Sequence, residues 1–234
     1  MRLVAQMVGR NEEDRYLEPV LKHLKTVADE IVFTDDCSTD NTVQIAKDMG
    51  AHVYQMPEQT FNKHEGILRN SAWRNLENHA EIGDWVLAID CDEMLYGAHP
   101  DVDIRKMMSR PDVDVIGIKF YHMWNETQYR VDKAWAPNVS SRMFRYFHGG
   151  KFADRRLACG SEPAYVQTLI RRHRFLIESG LVMCHLGYVR DEDKIAKHER
   201  YVTLDGGDFH AMAHIESIVD PEPTLLNWGG NPLA

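Results

Sequence analysis

"WVLAIDCDEML", residues 85–95, decides how this chain is read. An apolar run ends in Asp90, Asp92 and Glu93, three acids within four positions. Like charges so close repel one another, so either they sit on a solvated turn or a cation is expected between them. Two carboxylates one residue apart, on a turn leaving a strand, can reach a common point. Oxygen ligands of that kind suit Mg2+ or Mn2+, which would bridge to substrate phosphates. An acidic β-turn with no ligand has the same sequence signature.

The apolar run is the last of four. Strand-like stretches cover 2–8, 30–36, 51–56 and 84–90. Between them, Leu17, Val20, Leu21 and Leu24 recur at helical spacing, as do Thr42, Ile45, Ala46 and Met49, and Leu68, Ala72 and Leu76. Asn11 is placed to cap the first helix, and Gly50 stands where a left-handed C-terminal cap belongs. The order β-α-β-α-β-α-β predicts an α/β fold, a mostly parallel sheet with helices on both faces. Near-continuous apolar strands fit a sheet covered on both sides.

Beyond residue 100, strands are predicted at 114–124, 140–147 and 180–189, and a helix at 191–204 that opens with acids. The Pro- and Gly-rich tail, 220–234, reads as irregular. No linker composition divides the chain, so its 234 residues are expected to form one domain.

Hydrophobic residues make up 44% and charged residues 27%, a globular balance. Leu3 to Gly9 is too short for a secretory signal, and no window approaches the ~20 apolar residues of a membrane span. A soluble, cytoplasmic protein is expected. The four cysteines are scattered with no C-x-x-C pair, which argues against a zinc site built from them and for reduced thiols. The net charge of −9 disfavours a general grip on nucleic acid without excluding it. "RRHR" at 171–174 is either a solvated face or a contact for an anionic substrate. "HAMAH" at 210–214 has the histidine spacing of zinc peptidases, but Ala211 stands where they need glutamate, so it reads as structural.

Ligands of open parallel sheets bind outside the carboxyl ends of the strands. Those ends carry Arg10, Asn11 and Glu12, then Asp35 and Asp36, then Asp90, Asp92 and Glu93. "MVGRNEE", "EIVFTDDCSTDNT", "LRNSAW" and "WVLAIDCDEML", in this order and spacing, resemble family 2 glycosyltransferases of the GT-A fold. The likeness is closest over 1–95 and continues more loosely through "RMFRY" and "HLGYVRDEDKIAKHERY".

That resemblance implies a Rossmann-like, nucleotide-sugar-binding half at 1–95, and an acceptor-side half with a C-terminal tail at 96–234. It implies a nucleotide-sugar donor, UDP-linked by preference, and inverting transfer to a hydroxyl acceptor that the sequence does not identify. Val8 through Glu12, with Asn11 between them, would lie along the nucleoside, and Asp36 would accept from the base. Arg69 would reach the diphosphate or ribose, with Lys63 and His64 as further phosphate candidates. Asp90 would contact ribose or metal, Asp92 would be the principal ligand of Mn2+ or Mg2+, and His185 a third, distal ligand. Lys197, Arg200 and Tyr201 are placed to close over the phosphates. The general base is expected within 151–166, where Asp154 and Glu162 are the candidates. The neighbouring Arg155 and Arg156 would weaken Asp154 as a base, which favours Glu162. Two rivals remain: a nucleotidyltransferase, which usually needs a more glycine-rich first loop, and a non-catalytic nucleotide-sugar-binding module of the same fold.

Overall fold

The structure, a computed structural model, describes residues 1–97 and 100–229, except the side chains of 100–102, 133 and 177–179. Residues 230–234 of the tail lie outside it. β1 (Leu3–Gly9), α1 (Leu17–Val27), β2 (Glu30–Asp35), α2 (Thr42–Asp48), β3 (His52–Gln55), α3 (Glu65–Leu76) and β4 (Trp85–Ala88) alternate as predicted. Then come β5 (Glu93–Tyr96), α4 (Pro100–Met108), β6 (Val115–His122) and β7 (Gln128–Arg130). β8 (Asn138–Arg145), α5 (Tyr165–Arg171), β9 (Phe175–His185), α6 (Asp191–Leu204), α7 (Met212–Ser217) and β10 (Leu225–Asn227) complete the order.

Eight strands form one sheet in the order β3-β2-β1-β4-β8-β6-β9-β5. β3, β2, β1 and β4 are parallel, so their carboxyl ends share one edge. β8 joins β4 antiparallel and carries the sheet on to β6, which pairs parallel with β9. Alternation along β1 explains why both faces are apolar. Leu3, Ala5 and Met7 belong to a core shared with Leu17, Leu21 and Leu24 of α1. Val4, one step out of phase, belongs to the opposite core with Trp73 and Leu76 of α3. Each fully buried side chain of this size contributes roughly 1.5–3 kcal/mol. Gly50 ends α2 at φ 82°, in the left-handed region that its position requires.

Four expectations need correction. Asn11 caps nothing: the helix starts at Leu17, and Asn11 itself lies in the left-handed region at φ 53°. The strand predicted at 180–189 begins earlier, at Phe175, and stops at His185. The tail is not wholly irregular, since Leu225–Asn227 pairs antiparallel with Gln128–Arg130. Most consequentially, the acids of 90–93 share one turn, closed by the Glu93 N–H to the Asp90 carbonyl (3.1 Å), but their side chains do not converge on one point. Glu93 opens β5, points into the protein and is 1% exposed.

Glu93 is tolerated there because Arg142 of β8, itself buried, forms an ion pair with it. Burial pushes the Glu93 carboxyl up, while Arg142 pulls the other way. Arg142→Leu should therefore lower the unfolding free energy by about 3 kcal/mol, the cost of a buried charge without its partner. Glu93→Leu combined with Arg142→Leu should recover most of that loss, as urea denaturation at neutral pH will measure.

Candidate functional site

A cleft of about 460 Å³ opens beyond the carboxyl ends of β1, β2 and β4. β1 delivers Val8 through Glu12 to its wall, and that loop is locked to the one after β2. The Asn11 N–H donates to Ser38 Oγ (2.9 Å), and the Thr39 N–H donates to Asn11 Oδ1 (2.9 Å). The Glu12 N–H donates to Thr42 Oγ1 at 2.6 Å. These bonds hold two residues, Asn11 and Cys37, at positive φ, which non-glycine residues seldom adopt. Asp36 accepts the N–H groups of Thr60 (2.7 Å) and Phe61 (3.0 Å), so it pins the β3–α3 loop over the same cleft. Burial raises the Asp36 carboxyl, against the pull of those two donors.

Each acid after β4 has its own cation. Asp90 Oδ1 accepts from Arg69 Nη1 at 3.2 Å, and Arg69 also holds Glu65 at 3.1 Å. Burial alone would raise Asp90; Arg69 and Arg142 hold it below the usual carboxylate range. Asp92 Oδ2 lies 3.2 Å from Lys197 Nζ and 3.3 Å from His185 Nε2. Burial works against the charge of Asp92 too, and Lys197 and His185 overcome it, keeping the group ionised far into acid.

Strand pairing brings His185 to this place: Glu93 faces His185 across β5 and β9, and the Leu186 N–H donates to the Asp92 carbonyl (2.7 Å). Gly187 lies beside them, and a Cβ there would force Lys197 Nζ and Asp92 Oδ2 to move. Behind His185 stands His122, in register on β6, with the two Nδ1 atoms 3.1 Å apart. Burial lowers the proton affinity of both rings, so His185 is neutral near pH 7, the form that ligates metals.

Neighbouring ligands of an octahedral ion with bonds of ~2.1–2.2 Å stand about 3 Å apart. Asp92 Oδ2 and His185 Nε2, at 3.3 Å, fit that spacing. Glu12, also on the cleft, keeps a buried oxygen, Oε2, with no hydrogen-bond partner. Asp90 is instead turned toward Arg69.

Val8, Asn11, Glu12, Asp36, Arg69, Asp90, Asp92 and His185 thus all line one cleft, with Lys197, Arg200 and Tyr201 of α6. Lys63 does not: it is exposed and paired with Glu58. Asp154 is 97% exposed and paired with His64 at 3.2 Å. Glu162 meets Gln167 at 3.3 Å, off the cleft wall. The sequence reading overlooked Arg15, Phe61, Tyr188 and the supporting His122; an apolar strand ending in histidine, "FYH", was the available signal for the last.

Glu12 is the cleft carboxylate whose proton affinity falls near neutrality. Burial lifts it to about 7, with Asp92 adding and Arg15 subtracting. Between an unfolded value near 4.5 and about 7, the folded chain holds a proton that the unfolded chain has released. The Glu12 contribution to stability therefore falls as pH rises through that window, by on the order of 3 kcal/mol in total. Glu12→Gln should remove this component, flattening the plot of unfolding free energy against pH between pH 5 and 8.

The description "Glycosyl transferase family 2" matches residues 7–179. An uncharacterized glycosyltransferase of Rickettsia typhi is 33% identical over 89 residues, 38% of this chain and 27% of that protein. One of Mycoplasma pneumoniae is 23% identical over 194 residues, covering 77% of this chain and 58% of its own. The chain therefore spans less than two thirds of these curated relatives. S. aureus TarS 1–349, solved with UDP-GlcNAc, superposes with a TM-score of 0.57 at 19% identity, over 94% of this chain and 70% of that one. The mannosyltransferase PcManGT of Pyrobaculum calidifontis, solved with GDP-Man and Mn2+, gives 0.57 at 14% identity, over 95% and 66%. With its parallel strand ends converging on one acid-lined cleft, the chain has the GT-A fold and belongs to glycosyl transferase family 2.

Proposed function

We propose that the protein transfers a sugar, with inversion, from a nucleotide-sugar donor to an acceptor hydroxyl, and that the transfer depends on a divalent cation. The observation that carries the reading is the pairing of Asp92 with His185 at the mouth of β4, 3.3 Å apart and both largely buried. A Mn2+ or Mg2+ ion held by these two residues would supply Lewis-acid stabilisation to the departing diphosphate. Arg69, already oriented by Glu65 and Asp90, adds a fixed positive charge beside the same position. Asp36 and the Val8–Glu12 loop form the wall for the nucleoside, with UDP favoured as in TarS.

We assign the proton acceptor to Glu162 rather than Asp154. The Glu162 side chain meets Gln167 off the cleft wall, so this role requires the loop to carry the carboxylate inward; Leu157 and Ala158 of the same loop line the cleft, and Arg142 holds the neighbouring Ser161 hydroxyl. A carboxylate there would take the acceptor proton as the hydroxyl attacks the anomeric carbon.

Four free cysteines support a reducing, cytoplasmic setting. No helix among the described residues is long and apolar enough to cross a membrane. Membership of the family sets the nucleotidyltransferase rival aside.

Lys197 favours a second reading. Its ammonium lies 3.2 Å from Asp92 and 3.3 Å from His185, where the ion would sit. In a metal-free transfer, that ammonium would meet the diphosphate.

UDP release from UDP-sugars with Mn2+ or EDTA separates the two readings. Metal-dependent transfer predicts loss of turnover in EDTA and a drop of about 100-fold or more in kcat/KM for Asp92→Asn. Turnover that survives EDTA and falls in Lys197→Ala would favour the second. Glu162→Gln should lower kcat by about 100-fold with donor affinity unchanged, while Asp154→Asn stays within about twofold of wild type. Nucleotide-sugar binding without any turnover would identify a binding module instead.

A further inference from the structure

The opposite edge of the sheet carries a second constellation that the cleft does not use. Glu30 opens β2, His52 opens β3, and His79 follows α3, so the three meet at the amino ends of the strands. β2 alone places about 16 Å between Glu30 and the cleft edge. His79 Nδ1 lies 3.1 Å from Glu30 Oε2, and His52 Nε2 lies 3.6 Å from that same oxygen. All three donor atoms fall within 4.8 Å of one another. Neighbouring donors around a tetrahedral ion with bonds of ~2.0–2.1 Å stand about 3.3–3.4 Å apart. The two separations to Glu30 Oε2 bracket that value.

The outer contacts suit the same purpose. The Tyr54 hydroxyl lies 2.8 Å from His79 Nε2. A hydroxyl both donates and accepts, so it can receive Nε2–H when Nδ1 gives its lone pair to a cation. Glu30 Oε1 is taken by Arg2 Nη1 at 2.6 Å, which leaves Oε2 directed at the histidines. The charge of Arg2 is in turn answered by Asp84 at 2.8 Å. Half of the His52 side chain is exposed, and an open cavity lined by Glu30, His79, Glu77 and Glu81 adjoins the group, giving an ion and its waters a way in.

We propose that Glu30, His52 and His79 form a site for a divalent transition-metal ion of the zinc class, separate from the cleft. Bound there, the ion would staple β2 and β3 to the chain leaving α3. Two imidazoles and one carboxylate favour Zn2+ over Mn2+ and Mg2+, so this site and the cleft acids select different ions.

The test is calorimetric titration of the chelator-treated, dialysed full chain with Zn2+, using Asp92→Asn to weaken the cleft as a competing site. One saturable event should remain in Asp92→Asn. Adding His52→Ala should weaken it at least tenfold, and adding Tyr54→Phe by about tenfold or more. Zn2+ should also raise Tm, and the rise should vanish with His52→Ala; His52 is half exposed, so circular dichroism should show that variant folded. No saturable binding in the otherwise wild-type chain would overturn the proposal. So would an event lost in Asp92→Asn alone, or one that His52→Ala weakens by less than tenfold. None of these results bears on sugar transfer, which is read separately by UDP release.

Discussion

The structure depends on meeting three crowded carboxylates with cations drawn from distant parts of the chain. Arg69 comes from α3 to Asp90, Arg142 from β8 to Glu93, and Lys197 from α6 to Asp92, with His185 from β9 beside it. Isolated charges at this depth are too costly to keep, so each pair fixes the place of the element that carries its cation. β8 could not lie between β4 and β6 with Glu93 inward unless Arg142 came with it. The acid-rich turn is thus an assembly point, and the ion pairs that answer the charges of "DCDE" tie the two halves of the sheet together.

The sheet sorts its chemistry by edge. Parallel strands put every carboxyl end on one side, where the N–H groups and acids of the connecting loops converge. The amino ends collect Arg2, Glu30, His52, His79 and Asp84 on the other. Arg2 and Asp84 lock the start of β1 to the start of β4, as Asn11 and Thr39 lock the loops at the far end. With both ends of the parallel strands cross-linked by polar contacts, their apolar middles are free to be buried on both faces.

The sequence made the parallel half legible because its signals are local. Leu17, Val20, Leu21 and Leu24 recur at one spacing and share one buried face, and Gly50 follows its helix in the conformation its position demands. The cleft residues at strand ends were legible for the same reason, since a parallel topology fixes where a strand end must go. Partners were not. Glu93 reads as a third free acid of its turn because Arg142, 49 residues on, has no local mark that assigns it to Glu93. Asn11 looked like a cap because capping residues are named by type, and its actual partners, Ser38 and Thr39, lie across a chain crossover. Lys63, Asp154 and Glu162 are suggested by their neighbourhood in sequence, yet all three lie off the cleft wall, Lys63 paired with Glu58, Asp154 with the distant His64 and Glu162 with Gln167.

α6 shows how closely the cleft and its cover are joined. No residue of the helix is fully buried. It reaches the body through Asp193 to Arg15 (3.2 Å), through Lys197 to Asp92, and through the Arg200 guanidinium over the Phe61 ring. Arg190, just before it, donates to the Asp14 carbonyl and stacks on Tyr16. Most of these anchors line the cleft or touch residues that do, while Tyr201 and Lys194 add contacts to the aromatic cluster of Trp124, Trp135 and Tyr188. The Lys197 ammonium sits between Asp92 and His185, so the charges that seat α6 and the charges that line the cleft are the same groups. Gly187 leaves room for this contact, because a Cβ there would fall against the ammonium, the imidazole and the carboxylate where they meet.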